Sequence, residues 1–88
     1  MYLHLGKNTV INTKDIVGIF DMDTSTISKN TREYLKIAEK SGRVTNVSAE
    51  ELPKSFAVCR GKDGIKVYIS QISSQTLLKR NFNLFKEV

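Results

Sequence analysis

The sequence predicts an α+β fold: a mostly antiparallel sheet of five to seven short strands, one main helix packed on it, and a short C-terminal helix. Short runs rich in β-branched and aromatic residues recur along the chain, separated by turn residues. One segment, about residues 28–41, has the apolar spacing of a helix instead. The length of 88 residues, the apolar fraction of 40% and the single proline indicate one small globular domain.

The first third of the chain predicts a hairpin and then a buried strand. Residues 2–5 and 9–12 have strand patterns, and Gly6-Lys7-Asn8 between them is a turn. Residues 16–20 form a nearly continuous apolar run of strand length, so we expect a buried central strand. Gly18 inside this run indicates either a bulge or a close backbone approach. Residues 21–26 are polar and predict a solvated loop rather than a metal site or a catalytic pair of carboxylates.

The main helix is predicted over residues 28–41. The positions i, i+3, i+4 and i+7 of one helix face are occupied by Thr31, Tyr34, Leu35 and Ala38. Gly42 follows, where a left-handed residue is favoured. The outer face mixes lysine, arginine and glutamate and is typical of a solvated surface. Residues 43–47 predict another short strand.

The most informative stretch is the hairpin at residues 55–70. Its first strand should begin after Pro53, because proline cannot donate to a strand ladder. That strand has apolar residues on both faces, so we expect it to be covered on both sides. The second strand alternates, with an apolar face and a solvated face of Lys66, Tyr68 and Ser70.

The C-terminal part predicts a short helix over residues 73–80, capped by Ser73 or Ser74. Residues 81–86 alternate between polar and apolar side chains. We expect this tail to dock as an edge strand or on a neighbouring subunit.

The charge distribution favours a polyanionic partner. The chain has 14 basic and nine acidic residues, a net charge of +5, and residues 53–86 contain seven basic residues against one acid. Such a balance is typical of nucleic-acid binding. The single cysteine and single histidine exclude a disulfide framework and a metal cluster of the usual spacing. No apolar run is long enough to span a membrane, and we expect a cytoplasmic protein without cofactors.

No catalytic constellation is recognisable, so we expect a binding module rather than an enzyme with a small-molecule substrate. Cys59 lies inside a predicted strand and should be a buried, inert thiol. Gly61 and Gly64 suit a hairpin turn better than a phosphate-binding loop. The basic residues around the hairpin can neutralise phosphates, and Ser55 can add a neutral hydrogen bond. A symmetric homo-oligomer would repeat these weak contacts along one surface.

Four motifs resemble one bacterial family. In chain order they are Tyr2-Leu3-His4-Leu5-Gly6, Asp23-Thr24 ahead of Ser28, Leu52-Pro53-Lys54-Ser55-Phe56 and Ser70-Gln71-Ile72-Ser73-Ser74-Gln75-Thr76-Leu77-Leu78-Lys79-Arg80. On these residues the chain resembles the RemA/RemB family of extracellular-matrix regulators, and the RemB branch more closely. The resemblance covers about residues 1–80 as a single domain and leaves residues 81–88 as a C-terminal tail.

The resemblance implies a DNA-binding regulator of biofilm-matrix transcription, with a LytTR-like subunit and a ring-shaped homo-oligomer. It also implies that the loop before residues 56–59 presents basic side chains to duplex DNA. The RemA branch has an Arg-Arg-Thr-Arg run there, whereas this chain has Pro53-Lys54-Ser55-Phe56. Since lysine cannot bind phosphate or guanine bidentately as arginine does, we expect a weaker or relocated DNA surface. Lys54 is the leading candidate contact. The other candidates are Ser55, Arg43, Lys14, Lys7, Arg60 and Lys62.

Two alternatives come from other classes of protein. One is an RNA-binding, Sm-like ring, in which Tyr2, Tyr68 or Phe56 would stack on bases, although we expect Phe56 to fill the core instead. The other is an oligomeric scaffold that co-assembles with a related subunit, whose basic surface serves solubility only. A preference for single-stranded RNA would indicate the first, and the absence of salt-dependent nucleic-acid binding would indicate the second.

Overall fold

The computed structural model describes residues 1–25, 28–48 and 51–86. These residues form six strands, three α-helices and one turn of 3-10 helix at Thr13–Asp15. The strands are β1 (Tyr2–Gly6), β2 (Thr9–Asn12), β3 (Ile16–Asp21), β4 (Val44–Asn46), β5 (Ser55–Gly61) and β6 (Gly64–Ser70). The helices are α1 (Met22–Ser25), α2 (Lys29–Lys40) and α3 (Ser74–Lys86).

The strands form two sheets. β1 and β2 pair as a separate antiparallel hairpin, and the other four form a sheet in the order β3-β5-β6-β4. All pairings in the larger sheet are antiparallel except that of β4 with β6, which is parallel. The predicted α+β class and mostly antiparallel sheet are therefore confirmed. The β5–β6 hairpin lies at the centre of the larger sheet, and β5 begins after Pro53 as expected.

β3 lies at an edge of the sheet, so the prediction of a central strand was wrong. Its apolar run reflects two different environments. Ile16 and Ile19 pack against a buried core cluster, whereas Val17 and Phe20 are exposed. The pairing of β3 with β5 shifts register between Ile16 and Gly18, which confirms the predicted bulge.

Two apolar cores lie on opposite faces of the larger sheet, so the structure has three layers. On one face, α2 packs over β5 and β6. The buried residues of this core are Ala38, Phe56, Val58 and Val67. On the other face, the β1–β2 hairpin and α3 cover the sheet. The buried residues of that core are Leu3, Leu5, Ile11, Val47, Ala57, Cys59 and Leu77. β5 is thus covered on both faces, as its sequence predicted.

The face of β6 that was predicted to be solvated is partly covered by the β1–β2 hairpin. Ser70 is only 1% exposed, and its Oγ donates a hydrogen bond to the Leu5 carbonyl oxygen at 2.6 Å. Tyr68 is partly buried against the same core. Alternation correctly separates the two faces of this strand, but the docked hairpin, which is distant in sequence, excludes solvent from the second face.

The helices differ from the predictions mainly at their ends. α2 occupies most of the predicted span, and Gly42 adopts a left-handed φ of 72° after it. The Ser73 Oγ accepts a hydrogen bond from the Thr76 amide at 3.2 Å, as expected of a helix cap. α3 then continues to Lys86, so the prediction that the tail forms an edge strand was wrong. The predicted loop at residues 21–26 begins instead with the short helix α1; residues 26–27 lie outside the described part of the chain.

Candidate nucleic-acid interface

Apart from Arg43, the predicted DNA contacts lie at two opposite ends of the central β5–β6 hairpin. At one end, β5 begins beside the end of β6, with Ser55 paired to Ser70. At the other end, Gly61 is paired to Gly64 around the turn that carries Lys62. Six residues of strand separate the two ends of β5, which is about 20 Å. Lys54 and Lys62 therefore belong to different surfaces, which we call the loop end and the turn end.

Lys54 is held at the loop end by its backbone. Its amide donates to the Ser70 carbonyl oxygen at 2.9 Å, and its own carbonyl oxygen accepts from the Met22 amide at 2.9 Å. Two different parts of the fold thus fix the position of this residue. The side chain itself is exposed and forms no ion pair with a described residue. A cation on a fixed backbone can contact a phosphate with little loss of backbone freedom.

Ser55 is fully buried and does not belong to an exposed surface. Its Oγ donates to the Ile72 carbonyl oxygen at 2.6 Å. This hydrogen bond joins the start of β5 to the segment before α3. The residue therefore acts as a structural link, and DNA could not reach its hydroxyl without a rearrangement of the loop end.

Lys7 lies near the loop end, although 47 positions separate it from Lys54 in the chain. The link runs through Ser70, whose hydroxyl binds the Leu5 carbonyl while its own carbonyl binds the Lys54 amide. Lys7 has a positive φ of 47°, and the His4 Nε2 donates to its carbonyl oxygen at 2.8 Å. The turn therefore presents an exposed lysine at the same end of the sheet as the Lys54 loop.

The turn end brings together a larger group of basic residues. Ile16 pairs with Cys59, which places the preceding 3-10 turn and its Lys14 close to the end of β5. The exposed basic residues at this end are Lys14, Arg60, Lys62 and Lys66. Lys66 was not among the leading sequence candidates, but it lines a cleft of about 200 Å³ together with Lys62. Its position opposite Cys59 on β6 could have been derived from the hairpin register.

Acidic residues weaken the positive field at both ends. Asp15 and Asp63 line the turn-end cleft beside Lys62 and Lys66. At the loop end, Asp21 is paired with Ser55, and the exposed Glu51 lies three residues before Lys54. The turn end keeps the larger surplus of basic over acidic residues. The hairpin is therefore not one continuous basic surface, as a reading of the sequence alone suggests.

Arg43 lies at the other edge of the sheet. Its amide donates to the Ala38 carbonyl oxygen, and its carbonyl accepts from the Val67 amide, both at 2.9 Å. These bonds place Arg43 directly before β4 and level with the turn-end half of β6. The side chain is exposed.

The Cys59 thiol is buried, as predicted. Burial raises the pKa of the Cys59 thiol from an ordinary 9.0 to about 11, and the nearby Asp15 carboxylate adds to the shift. The thiol is therefore protonated at neutral pH and is a poor nucleophile. Within the part of the chain that the structure describes, no group of three His, Cys, Asp or Glu side chains could hold a metal ion. No described helix is both long and apolar enough to cross a membrane.

The fold and the surface define a small basic α+β protein that presents separate groups of exposed cations from short loops. Comparison with known proteins identifies the family. The family model described as "Extracellular matrix regulatory protein A-like" (RemA-like) matches residues 2–80. The chain is also similar to "Extracellular matrix regulatory protein B" of Bacillus subtilis (strain 168), with 40% identity over 86 residues, 98% of this chain and 96% of that protein. The chain belongs to the RemA-like family of extracellular matrix regulatory proteins.

Proposed function

We propose that this protein regulates transcription of extracellular-matrix (biofilm) genes by binding duplex DNA as a homo-oligomer. Copies of the loop end and turn end, repeated around a closed ring, would contact successive phosphates. Association through binding surfaces is the proposed activity, and no catalysis or cofactor is part of it. Because its target is bacterial DNA, the protein would act in the cytoplasm.

One structural observation carries this proposal. Lys54 is exposed, its backbone is fixed on both sides by the ends of neighbouring elements, and it occupies the loop that the family resemblance implicates. A single lysine contributes little binding free energy, but the same lysine repeated in a symmetric oligomer gives an avid site without new contacts. The net charge of +5 per chain adds a long-range attraction to polyanions.

The proposal is tested by measuring duplex-DNA binding over a series of salt concentrations. Each phosphate neutralised by a cation releases counterions, so the logarithm of the binding constant should fall linearly with the logarithm of salt. Lys54→Ala should weaken binding to all duplexes and reduce the magnitude of this slope by about one unit per subunit in contact. Lys36→Ala, on the exposed surface of α2, is the matched control for charge and should leave the slope unchanged.

A variant at the turn end decides which surface contacts DNA. If Lys62→Ala reduces the slope and Lys54→Ala does not, the contact surface lies at the turn end. Equal reductions would show that DNA crosses both ends of the hairpin. If neither variant changes the slope, or if the wild-type protein binds no duplex at any salt concentration, the proposed function is refuted.

The RNA-binding alternative has less structural support. Phe56 is buried and stacks on Phe20, with ring centroids 5.2 Å apart, so it cannot serve as a platform for a base. Tyr68 is partly buried, which leaves Tyr2 as the exposed aromatic residue of the three candidates. Competition between single-stranded RNA and duplex DNA in the same assay separates the two functions.

A further inference from the structure

An apolar groove of about 490 Å³ lies between β3 and the N-terminal half of α2. Val17, Phe20 and Tyr34 form its exposed walls, and Phe56 and Val58 are buried beneath them. The rings of Phe20 and Phe56 stack with their centroids 5.2 Å apart and form the floor of the groove. It lies on the α2 side of the sheet, opposite the layer that contains the β1–β2 hairpin and α3.

Every described residue that lines this groove is uncharged, whereas 26% of the chain is charged. The core of a protein–protein interface has this character, because it is depleted of charge and enriched in aromatic residues. A nucleic acid would find no cation in the groove to bind its phosphates. The groove therefore suits an apolar protein segment rather than DNA or RNA.

One end of the groove has a positive potential. Ser28 and Asn30 line the groove at the N-terminus of α2, where the helix dipole is positive. The Ser28 side chain makes no capping hydrogen bond, and the first turn of α2 contains no acidic residue. The exposed Lys29 and Arg32 add further positive charge near this end. A carboxylate beside an apolar side chain would be complementary to this end of the groove.

The chain itself has such a segment at residues 51–52. Leu52 is 80% exposed, and its neighbour Glu51 is an exposed acid. The segment is held on both sides, since the Glu51 amide donates to the Ser48 carbonyl oxygen at 3.0 Å and Lys54 is fixed by its own backbone bonds. Most of the Leu52 side chain is therefore available to contact another molecule. Because the backbone of the segment is already fixed, less conformational entropy is lost on binding.

We propose that the groove binds the Glu51–Leu52 segment of a second copy of the chain. Leu52 fills the groove between Val17 and Tyr34, and the Glu51 carboxylate lies at the N-terminus of α2. The groove and the segment are different surfaces, so the contact is heterologous, and each copy can bind one neighbour on either side. This inference rests on the homo-oligomer of the proposed function and identifies the surfaces that form it. It also places Lys54 beside each subunit interface.

The test uses two variants that block opposite halves of the contact. Val17→Glu places a charge in the groove, and Leu52→Glu removes the apolar segment; both positions are exposed, so both chains should fold. Each variant alone should be monomeric by native mass spectrometry at a concentration where the wild type assembles. An equimolar mixture should form a heterodimer and nothing larger, because one intact groove and one intact segment remain. Circular dichroism confirms that the variants are folded.

Val10→Glu, on β2, is the matched control because it makes the same change at a strand position that is 52% exposed. It should keep the wild-type mass. Glu51→Gln should weaken assembly roughly two- to fivefold, the effect of one carboxylate at a helix N-terminus. An unchanged mass in either glutamate variant, or a folded mixture that stays monomeric, would overturn the inference. A wild-type chain that is itself monomeric would also overturn it.

DNA binding measured on the same samples separates this inference from the proposed function. A wild-type assembly that binds no DNA, and that both glutamate variants dissociate, would refute the regulator function and support the contact. DNA-binding assemblies that persist in both variants would refute the contact and leave the regulator function standing.

Discussion

Replacement of Ser70 by alanine tests how the β1–β2 hairpin is held on the main sheet. The hydroxyl donates to the Leu5 carbonyl oxygen at 2.6 Å and accepts from the Ile72 amide at 3.0 Å. Ser70 is 1% exposed, so water cannot readily replace either partner. Alanine keeps the backbone and nearly the same volume, so the change removes the two hydrogen bonds without creating a large cavity.

The expected loss of stability is about 2–3 kcal/mol. Each hydrogen bond contributes about 1 kcal/mol net, and a buried carbonyl left without a donor adds a desolvation cost of similar size. For a domain of this length, 1 kcal/mol shifts the melting temperature by about 4–8 °C. The Ser70→Ala chain should therefore melt about 10–20 °C below the wild type.

The assay is denaturant and thermal unfolding followed by circular dichroism, at one fixed protein concentration because the proposed assembly would contribute to apparent stability. Ser41→Ala is the control: this exposed hydroxyl also donates to a backbone carbonyl, that of Ile37, at 2.9 Å. It should cost no more than about 0.5 kcal/mol. If Ser70→Ala costs no more than Ser41→Ala, apolar packing alone holds the hairpin, and our account of the link between Lys7 and Lys54 is wrong.

Three further predictions concern single positions. Lys7→Gly should remove a loop-end charge and raise stability by up to about 1 kcal/mol in denaturant unfolding, because glycine tolerates the left-handed φ of 47° without strain. Gly18→Ala should destabilise the fold by about 1 kcal/mol, since the added Cβ would lie 2.6 Å from the Phe20 ring. The displaced ring should be visible as a change in the NMR chemical shifts of Phe20. The Cys59 pKa is raised in the folded state to about 11, so its contribution to stability should be intact below pH 9.0 and lost as the pH rises toward 11. Cys59→Ala should flatten that part of the pH–stability curve, and iodoacetamide should label the native wild-type thiol slowly at pH 8.

The local elements were predictable because their signals are local. Turn residues between alternating runs identify both hairpins, and the spacing of Leu35 and Ala38 identifies α2. The place of each strand in the sheet was not predictable in the same way. In β3, Ile16 and Ile19 pack against one core, whereas Val17 lines the exposed groove on the α2 side. In sequence, this apolar run looks the same as that of a central strand.

The predicted DNA contacts stay a prediction, but the structure shows that their grouping could not be derived from the sequence. Lys54 and Lys62 are eight positions apart on one hairpin, yet the extended strand places them at opposite ends. Lys7 lies near the Lys54 loop because the β1–β2 hairpin packs on the sheet, where a buried hydroxyl on β6 also binds the β1 backbone. The burial of Ser55 likewise depends on a partner, Ile72, that lies 17 residues further along the chain.

Both edges of the main sheet are poor templates for a strand from another molecule. β4 has three residues, and β3 is interrupted by the register shift after Ile16. Short and bulged edges discourage the unlimited strand addition that produces fibrils. The proposed homo-oligomer would therefore not grow by extending the main sheet with a continuous ladder of backbone bonds. Side-chain contacts between subunits would let the proposed assembly stop at a defined number of subunits and dissociate again.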